Sequence, residues 1–224
     1  MNKKVVVIGG GTAGWATALS IQKFWENTSV TVIESTKIGI LGAGEGGTTN
    51  FGLFLKLLDI DIKDFSKVTG ATIKNGVKLL NWSYPGSLSE HLFHQSNKDI
   101  NDIREYPAYH FDARNVSEYF KNVAINRGVK WIDGEVSKIN NTLENIDNIE
   151  LGNGEIIDLD FVFDCSGFAR LIIKDIHKEK WIDYSEYLSI NKAFGYFLPQ
   201  KNKLTENELT STYMHAMNSG WMFQ

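Results

Sequence analysis

A glycine-rich turn near the amino terminus constrains the fold more than any other stretch of this 224-residue chain. The short apolar run Lys3–Ile8 leads into the turn GGGTAG at residues 9–14, and a helix-compatible segment follows at once. Gly9, Gly11 and Gly14 form the G-x-G-x-x-G pattern that is typical of dinucleotide-binding βαβ units. The first glycine permits a tight turn, the second lets a pyrophosphate approach the backbone, and the third allows close packing of helix on strand.

The second strand of the unit is predicted over Val30–Ile33 and ends in Glu34. An acid at that distance can accept hydrogen bonds from a ribose 2′-OH. The helix between the strands, over about Ala13–Glu26, would direct its free N–H groups at the phosphates. We therefore expect a dinucleotide to bind Gly9, Gly11, Thr12, Ala13, Gly14 and Glu34. The alternatives are a tight turn that binds nothing and, for Glu34, a surface acid.

The rest of the chain contains further strand and helix patterns. A glycine-rich loop over residues 35–49 precedes helices predicted at about Asn50–Leu58, Ile62–Val68 and Val116–Asn126. Residues 83–105 look polar and turn-rich. Strands are predicted at Ala71–Trp82, Ala108–Phe111, Val129–Ile132, Glu135–Ile139, Ile146–Leu151, Ile156–Ile157 and Asp160–Asp164. This order predicts a single α/β nucleotide-binding domain over residues 1–224, with an insertion at about 42–107 that leaves the sheet and returns to it.

Composition and charge bear on the classes of partner and on the cellular compartment. The net charge is −4 and no lysine or arginine cluster stands out, so neither a nucleic acid nor a membrane surface is favoured as a partner. The single cysteine, Cys165, excludes an intrachain disulfide, which fits a reducing compartment. No apolar run is long enough to span a membrane, and we expect a cytoplasmic protein. The histidines have no metal-ligand spacing with the cysteine, so no metal site is predicted.

Six stretches together resemble one family of flavoenzymes. They are the glycine turn with Trp15, Gly44–Thr48, Ile73–Trp82, Tyr109–Ala113, Asp164–Phe168 and Gly220–Gln224. Their combination resembles the flavin-dependent tryptophan halogenases, and the Asp-x-Ser-Gly block also resembles the wider flavin-binding fold of aromatic hydroxylases. The resemblance implies an FAD-binding, Rossmann-like, three-layer fold of the aromatic-hydroxylase and glutathione-reductase type, with an inserted substrate and halogenation segment.

The resemblance also implies a reaction. In the family, reduced FAD and O2 oxidise a halide ion, and the resulting hypohalous acid travels through an internal tunnel to a lysine beside the substrate. The cofactor carries the redox chemistry, and the protein supplies placement and excludes water. We therefore expect FAD, a separate flavin reductase that supplies it in reduced form, a halide co-substrate, and an aromatic or other electron-rich small molecule as substrate.

The residue roles that the resemblance implies fall into three groups. Lys74 matches the family's active-site lysine, which lies a fixed distance before Asn-Trp. Spacing alone would instead favour a solvated lysine on the polar face of its strand, similar to Lys78. Further cofactor contacts are implied at Glu45, Gly46, Val136, Asp164 and Gly167. Substrate contacts are implied at Trp82, His110 and Trp221.

Several of these residues also have structural alternatives. Glu45 could cap a helix or accept a hydrogen bond from a loop amide. His110, on an apolar strand, fits a structural histidine, and Trp82 and Trp221 taken singly would more often be core residues.

The sequence departs from the family pattern in two places. Thr49 stands where the family usually has proline, and Phe223 stands where the second tryptophan of the Gly-Trp-x-Trp signature belongs. Because the sequence ends inside that signature, the resemblance implies the amino-terminal portion of a longer halogenase. An unpaired strand edge there would favour a homodimer or a complementary fragment. The rival functions are an FAD-dependent monooxygenase or reductase of the same fold, and an inactive FAD-binding fragment that needs a second chain.

Overall fold

The computed structural model describes residues 2–42, 45–93, 106–142, 145–188, 190–195 and 210–224. The chain divides into two compact units. The first comprises Met1–Leu41 and Ala113–Asp183, and the second comprises Gly42–Asp112 and Tyr184–Gln224. The prediction of a single domain with an insertion at about 42–107 stays a prediction. Within the described ranges, no helix is both long and apolar enough to cross a membrane.

The described part of the chain contains both helices and strands. The helices are α1 (Thr12–Phe24), α2 (Thr49–Leu57), α3 (Ile62–Thr69), α4 (Ala113–Asn126) and α5 (Leu171–Asp175). The strands are β1 (Lys3–Ile8), β2 (Thr28–Glu34), β3 (Glu45–Gly46), β4 (Thr72–Lys74), β5 (Gly76–Leu80), β6 (Leu88–Leu92), β7 (Ala108–Phe111), β8 (Lys130–Asp133), β9 (Val136–Asn141), β10 (Ile146–Leu151), β11 (Ile156–Asp158), β12 (Phe161–Asp164), β13 (Ser211–Met217) and β14 (Gly220–Phe223).

A parallel sheet with strand order β12-β1-β2-β8 forms the centre of the first unit. The β-branched run Val5–Ile8 is buried throughout, as expected for a strand covered on both faces. Val6 and Ile8 pack with Ile149 and Leu151 of the antiparallel sheet β11-β10-β9. Alternation along the strand directs Val5 and Val7 to the opposite face. The predicted α/β architecture with a parallel sheet is therefore confirmed.

The second unit contains two further sheets. One is a mixed sheet of order β14-β13-β5-β6, and the other is the antiparallel sheet β3-β7-β4. Aromatic side chains join α2 and α3 to β7: the Phe51 ring stacks on Phe111 at 4.8 Å between centroids, and Phe65 meets Tyr109 edge-on at 5.8 Å. Helix α3 starts at an Asp61 cap, whose carboxylate accepts from two backbone N–H groups, and ends at Gly70 in the left-handed conformation.

The prediction of one continuous strand over Ala71–Trp82 is wrong. The segment forms β4 and β5, which belong to different sheets and separate at Asn75. The Asn75 N–H donates to the Thr210 carbonyl at 2.6 Å, and the Asn75 carbonyl accepts from the Phe93 N–H at 2.8 Å. A change of strand partners at one residue depends on distant segments, so a local alternation pattern does not reveal it.

Three other predictions need correction. Residues 83–105 contain the strand β6, which pairs with β5, whereas the sequence predicted only turns; residues 94–105 lie outside the described part of the chain. The loop predicted at 35–49 contains the short strand β3. Helix α4 begins at Ala113, three residues before the predicted Val116. The remaining predicted elements are present.

Candidate functional site

The glycine turn joins β1 to α1 at the carboxyl end of the parallel sheet. Gly9 has φ +109, and a Cβ there would overlap the carbonyl oxygen of Cys165. Gly14 lies so close to the turn that a Cβ would overlap the carbonyl oxygen of Gly9. Gly11 differs, because its φ is −75 and no described atom lies within 4 Å of its Cβ position. Gly9 and Gly14 are thus required for packing, whereas Gly11 adjoins open space.

The start of α1 is suited to an anion. Gly11 is the N-cap residue and has no side chain to cap the helix, so the first N–H groups keep their positive partial charge. Ala13 is exposed in this first turn. The Thr12 hydroxyl donates to the Ala113 carbonyl at 3.5 Å and lies 3.2 Å from the Ser117 hydroxyl, which fixes the turn to α4.

Glu34, at the end of β2, folds back over the glycine turn. A Cβ on Gly10 would overlap the Glu34 carboxyl group, and the nearest oxygen is Oε1. The other oxygen, Oε2, lies 3.0 Å from the Lys121 Nζ, and both side chains are largely buried, at 14% and 12% exposure. Glu34 is therefore not the surface acid of the alternative interpretation. Sequence reasoning missed Lys121, since its position on α4 carries no local signal that points to Glu34.

Asp164 ends β12, at the same edge of the sheet as the glycine turn. Its carboxylate accepts from the backbone N–H groups of Ser166 at 3.0 Å and Ile172 at 2.8 Å, so it organises the segment that leads into α5. Gly167 has φ +64, and open space surrounds its Cβ position. Val136 is half-buried at the start of β9, where it pairs with Leu151.

Lys74 is buried in the second unit, with 6% exposure. Its ammonium lies against Gly46, where a Cβ would overlap Nζ, and 5.4 Å from the centroid of the Phe93 ring. In the described ranges no carboxylate lies within ion-pair distance of Nζ, and no acceptor binds it. Burial lowers the pKa of Lys74. The solvated position that spacing alone favoured is wrong.

Lys78 has the opposite environment, although it lies only four residues further along the chain, on β5. Its Nζ is 3.1 Å from the Glu90 Oε1 and 5.3 Å from the centroid of the Tyr213 ring. Hydrogen bonds, first to Glu90 and then to Tyr213, raise the pKa of Lys78. Of these two neighbouring lysines, only Lys74 is buried without a counter-ion among the described residues.

His110 shares the sheet of Lys74. Its Nε2 and the Thr212 hydroxyl are joined by a hydrogen bond of 2.8 Å. Burial, and secondarily the charge of Lys74, lowers the pKa of His110 to about 4, so the imidazole is neutral at physiological pH. Glu45 pairs with Phe111 across the same sheet; partial burial, then the charge of Asp112, raises the pKa of its carboxyl.

Trp82 and Trp221 come together beside the mixed sheet, with ring centroids 6.4 Å apart. The Trp82 indole N–H donates to the Met214 carbonyl at 3.0 Å, which anchors that ring to β13. Both rings are about half-exposed, at 46% and 49%, so neither is a core residue. Across the described segments, no group of three or more His, Cys, Asp or Glu side chains could hold a metal ion.

Comparison with known proteins extends these observations. The sequence model for "Tryptophan halogenase" matches residues 4–106 and 104–224. The tryptophan 6-halogenase ThaL of Streptomyces albogriseolus is 27% identical over 99% of this chain and 53% of its own length. The tryptophan 7-halogenase RebH of Lentzea aerocolonigenes is 24% identical over the same shares. The chain thus spans about half the length of these relatives.

Solved structures agree on the fold. The tryptophan 6-halogenase SttH of Streptomyces toxytricini aligns with a TM-score of 0.83 at 22% identity, over all of this chain and 55% of that one. The glycine turn and the parallel sheet define an α/β protein with the Rossmann-like fold of the flavin-binding type. More narrowly, the chain belongs to the tryptophan halogenase family. The resemblance and the fold class inferred from sequence are both confirmed.

The burial of Lys74 predicts a pH-dependent cost to stability. Below its lowered pKa, Lys74 carries its charge in both folded and unfolded states, and the cost of burying that charge is fully present. Between that value and the ordinary 10.5, the unfolded state binds more protons, so stability rises with pH. Lys74→Met should therefore be more stable than the wild type near pH 7, and the difference should shrink as pH approaches 10.5.

Urea unfolding at a series of pH values measures this difference. Lys78→Met is the matched control, and we expect no gain from it because Glu90 compensates the Lys78 charge. A constant advantage of Lys74→Met at every pH would mean that the lysine is not held at a lowered pKa.

Proposed function

We propose that this chain is part of an FAD-dependent halogenase, which uses reduced FAD, O2 and a halide ion to halogenate an aromatic or other electron-rich small molecule. The observation that carries the proposal is Lys74, a buried lysine with no carboxylate partner in the described ranges. An uncompensated buried charge is costly, and such groups concentrate at functional sites. Membership in the tryptophan halogenase family supplies the reaction class.

The residues at the glycine turn fit FAD. The space beside Gly11 would admit a pyrophosphate, and the uncapped N–H groups of Thr12 and Ala13 would bind it. Gly9 and Gly14 hold the turn in shape, and the Oε1 of Glu34 would accept from the adenosine ribose. Val136, Asp164 and Gly167 would complete the binding surface of this unit, and Glu45 and Gly46 stay predicted cofactor residues of the second unit. Reduced FAD, when bound, would activate O2, and O2 is the oxidant that converts halide to hypohalous acid.

Lys74 would control the electrophile. As an ammonium it can donate a hydrogen bond to hypohalous acid. As a neutral amine it can attack the halogen of that acid: an N–halogen bond forms, the O–halogen bond breaks, and the departing hydroxide takes an amine proton and leaves as water. Burial favours the second route, because it lowers the pKa and increases the fraction of neutral amine. The low pKa of His110 keeps the neighbouring imidazole uncharged, so that it does not repel the ammonium.

The substrate would be held by His110, Trp82 and Trp221. The neutral imidazole offers a flat polarisable surface, and two half-exposed indoles 6.4 Å apart offer aromatic surface for an electron-rich ring. A separate flavin reductase would supply reduced FAD, and the reaction would take place in the cytoplasm.

The first experiment tests cofactor binding. Gly11→Val should fold normally, because its Cβ meets no described atom, yet it should lose FAD because the side chain fills the space for the pyrophosphate. Flavin fluorescence titration and thermal unfolding measure the two effects separately. Gly14→Ala is the contrast: overlap with the Gly9 carbonyl should destabilise the fold by about 1–3 kcal/mol. Equal FAD affinity of wild type and Gly11→Val would contradict the assignment.

The second experiment tests the reaction. Lys74→Ala should bind FAD normally and form no halogenated product, because cofactor binding and electrophile delivery use different residues. Mass spectrometry after incubation with a flavin reductase, bromide, O2 and tryptophan or indole detects the product. Lys78→Ala, the matched control, should retain halogenation. Near-normal halogenation by Lys74→Ala would overturn the catalytic role, and an oxygenated product from the wild type would favour the monooxygenase alternative.

A further inference from the structure

Lys121 is a largely buried cation that the reaction does not use. It extends from α4 to the Glu34 carboxylate, with Nζ 3.0 Å from Oε2 and 12% exposure. Its Nζ also lies 3.7 Å from the centroid of the Trp131 ring and 6.0 Å from that of Trp15. A cation over an indole face is held by attraction to the ring as well as by its counter-ion. The lysine is therefore fixed in place by more than one partner.

The two oxygens of Glu34 have different neighbours. Oε2 faces Lys121, whereas Oε1 is the oxygen nearest to the backbone of Gly10 in the glycine turn. No donor in the described part of the chain bonds Oε1. A carboxylate can accept several hydrogen bonds, so binding by Lys121 leaves Oε1 free for a ligand. The lysine thus orients the carboxylate, so that one oxygen faces the turn while the other faces Lys121.

We propose that Lys121 is a positioning and specificity-determining residue for the adenosine end of the cofactor. Lys121 orients Glu34 so that Oε1 faces a ribose diol. Glu34 in turn neutralises the Lys121 charge, so that a nucleotide with a 2′-phosphate binds more weakly than one without it. This inference rests on the proposed binding of FAD at the glycine turn.

Electrostatics explains both parts of the role. Burying an unpaired carboxylate costs free energy, because the charge loses its hydration. The Lys121 ammonium offsets this cost for the largely buried Glu34. A 2′-phosphate brought next to the Glu34 carboxylate would place like charges together. Without the Glu34 charge, the Lys121 ammonium would lose its ion-pair partner and would be available to a 2′-phosphate, which a cation near the ribose stabilises.

Two nucleotides that differ only by a 2′-phosphate test this proposal: AMP and adenosine 2′,5′-bisphosphate. Each is titrated in competition with FAD, with flavin fluorescence as the readout. The wild type should prefer AMP by roughly ten-fold or more, which corresponds to at least about 1.4 kcal/mol. Glu34→Gln should narrow or reverse this preference. The double variant Glu34→Gln, Lys121→Met should not show this narrowed or reversed preference, because the cation that would bind the 2′-phosphate is absent.

Lys121 is also tested alone. Lys121→Met keeps an unbranched apolar side chain over Trp131 but should weaken FAD binding roughly ten-fold, since Glu34 then loses the ion pair that orients it. Lys121→Arg should restore it. If Lys121 served only for packing, Lys121→Met would leave the ratio of the AMP affinity to the adenosine 2′,5′-bisphosphate affinity unchanged. This ratio does not depend on the fraction of protein that is folded.

The outcomes separate this inference from the proposed function. The proposed role of Lys121 is wrong, while FAD binding stands, in two cases. In the first, Glu34→Gln keeps the wild-type ratio of the two nucleotide affinities. In the second, the double variant shows the same narrowed or reversed preference as Glu34→Gln. If the folded wild type binds no FAD, the proposed function and this inference both fail.

Discussion

The first unit depends on two contacts between backbone atoms that only glycine permits. Gly9 lies against the Cys165 carbonyl, and Gly14 lies against the Gly9 carbonyl, so that β1, β12 and the start of α1 approach more closely than any side chain would allow. This approach puts the uncapped start of α1 at the carboxyl edge of the parallel sheet. Glu34 and Asp164 end their strands at the same edge. The candidate FAD site therefore follows from the packing of the turn, and a Cβ at either glycine would separate its parts.

The sequence predicted what local chemistry and short motifs encode. The glycine turn, the order of strand and helix, and the position of Glu34 all follow from residues that are close together in the chain. The switch of sheets at Asn75 and the ion pair between Lys121 and Glu34 could not be predicted, because each depends on segments that are distant in sequence. Lys74 lies between these cases: spacing alone suggested a solvated residue, the family motif suggested a functional one, and the structure buries it.

Three lysines illustrate how burial and pairing distinguish roles. Lys121 is largely buried and paired with Glu34, and Lys78 is partly exposed and paired with Glu90. Lys74 is buried beside Gly46 with no carboxylate partner in the described ranges. A paired lysine contributes to structure, whereas an unpaired buried one costs stability, and this cost is understandable where the amine must react. This contrast is the physical basis for assigning the chemistry to Lys74 and the positioning of Glu34 to Lys121.

The central claim is that the glycine turn holds FAD, and a crystal structure of the protein with FAD tests it most directly. The account predicts the pyrophosphate within hydrogen-bond distance of the Thr12 and Ala13 N–H groups, next to Gly11. It also predicts the adenosine ribose on the Oε1 of Glu34, with the Lys121 pair to Oε2 intact. FAD bound with its pyrophosphate away from this turn, or with its ribose out of reach of Glu34, would contradict the account.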